Sequence, residues 1–183
     1  KSYGSDEEGQ RGLFQPSTHF ESITMLSSGW DVSFMINDRQ LYGTGSNEAC
    51  LLCSNARIKK VLSWSIIPFT PKVIQVSCGL KHALVVTEER QVFGWGDNRH
   101  CQLGVSSPKL LSNPQLLDVQ DIIQVCCGAQ HSLFLDHKGQ VHATGNNRYS
   151  QCGLPSPAML SSPTSLDIPE PISRIFTNWN TSF

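Results

Sequence analysis

No stretch of this sequence is long and apolar enough to cross a bilayer as a helix, which takes about 20 consecutive apolar residues. The most apolar windows, such as Ile66-Ile67-Pro68-Phe69, are interrupted by proline and polar residues, so no membrane span is expected. An excess of one charge is missing too: 14 Lys+Arg stand against 15 Asp+Glu, a net charge of −1 with histidine neutral. Binding to nucleic acid replaces counterions with a dense positive surface. No basic run or stripe supplies one here, so no nucleic acid is expected as a partner. The chain has no signal peptide and begins at Lys1 rather than Met, so its true start is expected to lie elsewhere. Its seven cysteines are an odd number and point to reduced thiols, hence to a cytoplasmic or also nuclear location.

Catalytic signatures are missing as well. The glycine-rich pieces Gly43-Thr44-Gly45 and Gly94-Trp95-Gly96 are no phosphate loop, because no Gly-x-x-x-x-Gly-Lys-Ser/Thr follows a strand. There is no Gly-x-Ser-x-Gly elbow and no acid/base or nucleophile constellation. No catalytic residue, metal or cofactor is therefore expected. Cys50-Leu51-Leu52-Cys53 has zinc-ligand spacing, but no second pair faces it. Cys50 and Cys101 fall in one position of a repeat, Cys78 and Cys127 in another, as small buried residues would.

What the sequence has is that repeat. Ser28-Gly29-Trp30-Asp31-Val32-Ser33-Phe34, Cys78-Gly79-Leu80-Lys81-His82-Ala83-Leu84 and Cys127-Gly128-Ala129-Gln130-His131-Ser132-Leu133 recur at intervals of 50 and 49 residues. Each leads into a second phrase: Gln40-Leu41-Tyr42-Gly43-Thr44-Gly45, Gln91-Val92-Phe93-Gly94-Trp95-Gly96 and Gln140-Val141-His142-Ala143-Thr144-Gly145. A fourth copy starts at Asn178-Trp179-Asn180-Thr181-Ser182-Phe183, and Gly4 to Gly12 matches Gly96 to Gly104. The repeats read as 1–20 (partial), 21–70, 71–119, 120–169 and 170–183 (partial), within one segment over 1–183.

The phrases read as strands. Val73 to Cys78 alternates apolar and polar residues. Ala83 to Thr87 is a short buried run. Turns follow at Glu88-Glu89-Arg90 and at His137-Lys138-Gly139, where glycine suits a positive φ. Gln91 to Gly96 is the next strand, with Gly94 and Gly96 packed tightly beside Trp95. A connection over Val105 to Pro114 then leads to an outer strand at Gln115-Leu116-Leu117. The first hairpin is one residue shorter than the second. The first turn reads Ala49-Cys50-Leu51-Leu52-Cys53 in place of Gly-Gln-Leu-Gly, so it is expected to differ. Four short strands per period of about fifty residues predict an all-β chain of four-stranded antiparallel propeller blades, about three complete and the terminal ones incomplete.

The phrases Cys-Gly-x-x-His, Gln-Val-Phe-x-Trp-Gly-x-Asn and Gln-Leu-Gly resemble the repeat of the regulator of chromosome condensation family. Gly29-Trp30-Asp31 and Gly79 to Ala83 look closest to its branch of guanine nucleotide exchange factors that regulate secretion. The resemblance implies an arc or fragment of a seven-bladed propeller, since a full ring needs about twice this length; either a piece of a longer protein or a partial product is expected. It also implies a protein partner, a small GTPase for an exchange factor, or else a non-catalytic scaffold role. Gly29, Gly79, His82, Trp95, Gly96, Gly128, His131 and Gly145 read as structural repeat positions, although Val32 and Thr181 stand where His82 and His131 do. The varying residues between glycine and histidine are Trp30-Asp31, Leu80-Lys81, Ala129-Gln130 and Trp179-Asn180. In the family their face meets the GTPase, and an exposed Trp beside an Asp suits a binding hot spot. The alternative is that Trp30 and Trp179 fill gaps between blades.

Overall fold

A computed structural model describes residues 20–52, 55 and 57–182. The match at Gly4 to Gly12, Cys53 and Phe183 lie outside the described residues. Twelve strands form three four-stranded antiparallel sheets. The first holds β1 (Ile23–Ser28), β2 (Val32–Asn37), β3 (Gln40–Ser46) and β4 (Lys60–Ile66). The second holds β5 (Val73–Cys78), β6 (His82–Thr87), β7 (Val92–Asp97) and β8 (Leu110–Leu116). The third holds β9 (Ile122–Cys127), β10 (His131–Asp136), β11 (Val141–Asn146) and β12 (Met159–Ser165). A two-stranded piece, β13 (Thr177–Asn178) and β14 (Thr181–Ser182), begins a fourth. Strands follow chain order in every sheet, and β1, β5, β9 and β13 lie side by side. The sheets are blades fanned as part of a propeller.

The second strand is buried along its whole length in β6 and β10, and its middle, Leu84 to Val86 and Leu133 to Leu135, is apolar without alternation. The first strand alternates, and its inward positions Val73, Val76, Ile122 and Val125 are fully buried. The core is continuous between the first two blades, where the Trp95 ring meets Phe34 edge to face with centroids 5.9 Å apart. The Trp95 indole N–H, 1 % exposed with its residue, donates to the Leu51 carbonyl of the preceding blade at 2.9 Å.

Glycine recurs for a local reason at the end of each third strand. Gly45, Gly96 and Gly145 have φ of 113°, 99° and 104°. A Cβ there would stand 2.4, 2.5 and 2.6 Å from the carbonyl oxygens of Asp31, Lys81 and Gln130. The ladder to the fourth strand slips at this point in all three blades, a bulge that bends the strand.

Two expectations need correction. The outer strand of the second blade runs from Leu110 to Leu116, five residues earlier than the sequence implies. Pro114 lies inside it, which an edge strand tolerates because its outward side needs no donor. The first turn, expected to differ, opens as the others do. Asn47, Asn98 and Asn147 accept the N–H of Leu52, Leu103 and Cys152 at 2.8, 3.1 and 3.0 Å, and Cys50, Cys101 and Ser150 all hold positive φ near 57°. The shorter first hairpin closes with Asp38 and Arg39 both at positive φ, a two-residue turn whose twist suits a hairpin.

Candidate functional site

The variable residues sit in the connection between the first and second strand of each blade. Gly29, Gly79 and Gly128 donate to the carbonyls of Val32, His82 and His131 at 2.8, 2.9 and 2.9 Å, which closes the two residues between into a tight connection. Neighbouring connections touch: Leu80 N–H donates to the Ala129 carbonyl at 3.2 Å, and Ala129 N–H to the Trp179 carbonyl at 2.8 Å. The carbonyls of Asp31, Lys81 and Gln130 accept from Ser46, Asp97 and Asn146 at 2.7, 2.7 and 2.8 Å. The backbone of these positions is thus committed to the blade while their side chains are not. That is why their identities differ between constant flanks.

The side chains divide into two kinds. Trp30 is 64 % and Trp179 47 % exposed, and their rings meet at 5.3 Å and 62°. They do not fill gaps between blades; they stand out from the loop cluster and touch each other. Asp31, Leu80, Lys81 and Gln130 are half-buried, and Ala129 is buried. The Lys81 ammonium lies 3.6 Å from the Glu48 carboxylate of the first blade, and Gln130 accepts from the Asn146 amide at 2.9 Å. Tyr149, 73 % exposed, follows Asn147 in the turn beside Gln130. The sequence reading passed over Tyr149; its place in the turn after a third strand was the available signal.

Beneath this face the repeat histidines join blades. His82 Nε2 lies 3.0 Å from Ser132 Oγ, and His131 Nε2 3.0 Å from Ser182 Oγ, each in the next blade. Ser132 and Ser182 donate their only hydroxyl proton back to Gln102 and Gln151 carbonyls at 2.7 and 2.6 Å. Each histidine must therefore carry its proton on Nε2 and donate. The rings lie flat on glycine: a Cβ at Gly79 would stand 2.2 Å from His82 Cε1, and one at Gly128 2.0 Å from His131 Cε1. Burial, and for His82 the neighbouring His131, lowers the two imidazoles to about 3 and about 4. In the first blade Val32 replaces the histidine, and in the second Ala83 replaces its serine, so the contact exists there in apolar form.

A second link between blades was not singled out from the sequence. Gln75 donates to the Val125 carbonyl and accepts from its N–H, both at 3.0 Å. Gln124 holds Ile175 in the same way at 2.7 and 2.9 Å. Both stand seven residues before a repeat histidine, which is the signal that could have found them. Met25 occupies the corresponding place in the first blade, with its sulfur 3.5 Å from Val76 N.

Chemistry of other kinds finds little support. Among the described residues no three metal-ligating side chains converge. Burial raises the Cys127 and Cys152 thiols to about 12, which leaves them un-ionised and inert. Cys50 is a buried thiol within the first turn. Ser165 Oγ is 2.9 Å from His142 Nδ1, but Asp136 stands 3.9 Å from the other ring nitrogen and already accepts the N–H of Lys138 and Gln140. That imidazole has no oriented hydrogen bond to a carboxylate of the sort that supports a nucleophile's base.

Comparison with known proteins agrees on one family. Two models, both described as "Regulator of chromosome condensation (RCC1) repeat", match residues 91–135, and 73–102 with 122–151. The chain is 32% identical over 129 residues to the serine/threonine-protein kinase Nek9 of Xenopus laevis, covering 66% of this chain and 14% of that one. It is 30% identical over 109 residues to the ultraviolet-B receptor UVR8 of Arabidopsis thaliana, covering 55% and 23%. Among solved structures, human WBSCR16 superposes with a TM-score of 0.71 at 30% identity, over 81% of this chain and 42% of that one. Yeast RCC1 (Prp20), solved bound to Kap60, gives 0.78 at 20% identity over 90% and 41%; at that identity it speaks to the fold alone. The chain spans less than a quarter of these two curated relatives.

Proposed function

The chain is built from regulator of chromosome condensation repeats, and on that premise we propose that it is a protein-interaction propeller that acts as a guanine nucleotide exchange factor on a small GTPase, in the cytoplasm or nucleus. The observation that carries the reading is the exposed Trp30–Trp179 pair, set among connections whose backbone is fixed and whose side chains vary. Large exposed aromatic groups in a polar surround are the usual anchors of protein interfaces. A solved yeast relative with this fold is described by its binding properties to Gsp1p and histones, which supports a protein partner here.

An exchange factor needs no nucleophile. It binds the nucleotide-free GTPase more tightly than the loaded form, so nucleotide release follows from differential affinity. The proposed contact set is Trp30, Asp31, Leu80, Lys81, Ala129 and Gln130. Release of labelled GDP from a panel of small GTPases, with the full chain added, tests this. Release that is lost in Trp30→Ala and Asp31→Lys, with unchanged melting, is the expected result.

A scaffold role without exchange is the second reading. Supporting it, the matched repeats in the Nek9 kinase are a small part of a much longer chain. Capture of a GTPase without GDP release would select it.

A further inference from the structure

An acidic residue stands next to the indole pair in the sequence. In an edge-to-face pair the ring that presents its edge keeps both faces clear, and the other keeps one. The exposures of Trp30 and Trp179 fit that arrangement. An indole face carries negative potential and attracts cations. Asp31 follows Trp30 directly and is half-buried. Among the described residues Asp31 joins no ion pair, whereas Lys81 is neutralised by Glu48 and Arg99 by Asp97 at 2.8 Å. Arg148 is exposed next to Tyr149 in the turn of the third blade and joins no ion pair among the described residues.

We propose that Trp30 and Trp179, with Asp31, form a receptor for a cationic side chain, arginine or lysine, carried by the protein that docks on this face. The inference rests on the partner-binding reading above and adds the chemistry of the anchor. An apolar anchor would bury the Asp31 carboxylate without a partner, which is costly. An acidic anchor would meet both the carboxylate and the negative ring faces. A guanidinium or ammonium satisfies both at once and is exposed enough on arrival to be steered by the charge.

The test follows the indole N–H resonances of the nitrogen-15-labelled full chain during titration with the end-blocked tripeptides Gly-Arg-Gly, Gly-Lys-Gly, Gly-Leu-Gly and Gly-Glu-Gly. Trp95, whose N–H is held in the core by Leu51, is the internal control. The arginine and lysine peptides are expected to shift Trp30 and Trp179 and leave Trp95 in place. Asp31→Asn should weaken that binding about threefold to tenfold, and added salt should weaken it further. Equal shifts with the leucine or glutamate peptide, or no shift with any peptide, would overturn the proposal. The two readings fail separately. Partner capture lost in Trp30→Ala without any preference for cationic peptides removes this inference and keeps the docking face. Cation preference in a chain that captures no GTPase keeps the receptor and removes the exchange-factor reading.

Discussion

His82 and His131 each donate one proton across a blade boundary and keep a bare Nδ1 that has no partner. Their pH behaviour follows from that arrangement. Both folded-state values, about 3 and about 4, lie below the ordinary 6.5, so the unfolded chain binds protons that the folded chain refuses. The stabilisation is complete above about pH 6.5 and is lost as pH falls towards 4, by at most about 1.4 kcal/mol per histidine for each pH unit. Thermal melts should be level from pH 7.5 to about 6.5 and fall steadily from there to pH 4.5, and the fall should flatten when each His–Ser pair is replaced by the Val–Ala pair already present at Val32 and Ala83. The reverse exchange is equally informative. Val32→His alone buries an imidazole with no acceptor, whereas Val32→His with Ala83→Ser rebuilds the lock. A double-mutant cycle should therefore return a favourable coupling of about 1–2 kcal/mol. One buried amide lacks its bond: Gln151 Nε2 has no partner, while Gln102 Nε2 donates to Asp97 at 3.3 Å. Asn146→Asp supplies the missing acceptor, and Gln130 can turn its amide to donate to the new carboxylate. A gain of about 0.5–1 kcal/mol in urea unfolding is expected.

Between elements, one side chain does what a strand edge ordinarily does. Among the described residues no backbone ladder joins the strands of neighbouring blades, and Gln75 and Gln124 each span the gap and satisfy both backbone groups of one residue in the next blade. Gln75→Ala should cost about 2 kcal/mol, because it leaves two buried backbone groups unpaired. Amide hydrogen exchange should locate the damage at Val125 rather than spread it over the second blade. Met25→Gln should give the first pair of blades the clamp it lacks, with the Val76 amide slowed in exchange. The strands themselves were legible in the sequence. Val73–Cys78 alternates because one face is buried, and the second strands have an apolar middle without alternation because both faces are. The start of the outer strand was not, since Leu110 to Leu116 pairs on one side only and carries Pro114. Nor was the common form of the three turns. The asparagine at 47, 98 and 147 fixes them by accepting from backbone N–H groups, and backbone groups leave no trace in the identities of the residues that supply them. For the candidate face, the repeat isolated the variable positions, but whether a tryptophan there points outward depends on how far the blades spread.

At the scale of the whole molecule, position within the arc decides what a residue is worth. Val76, Val125 and Ile175 occupy one position of the repeat, the first two within first strands and Ile175 just before β13, and all three are buried. Leu26 occupies the same position in the first blade and is 62 % exposed. Burial of a side chain this size is worth about 1.5–3 kcal/mol, so the same substitution has unequal consequences at the first and second members of the series. Leu26→Lys should leave urea unfolding within about 0.5 kcal/mol of the parent, as surface changes do. Val76→Lys, which buries an ammonium without a partner against Met25 and the shared core, should prevent folding or lower stability by more than about 3 kcal/mol. If both substitutions proved equally damaging, the first blade would have to be covered in solution as the others are. That comparison, read by circular dichroism together with sedimentation velocity at several concentrations, separates an arc whose first face is open from one whose first face is filled. The GDP-release and peptide titrations depend on which it is, because the loops that carry Trp30 and Trp179 keep their 5.3 Å contact only while the blades between them hold their present spread.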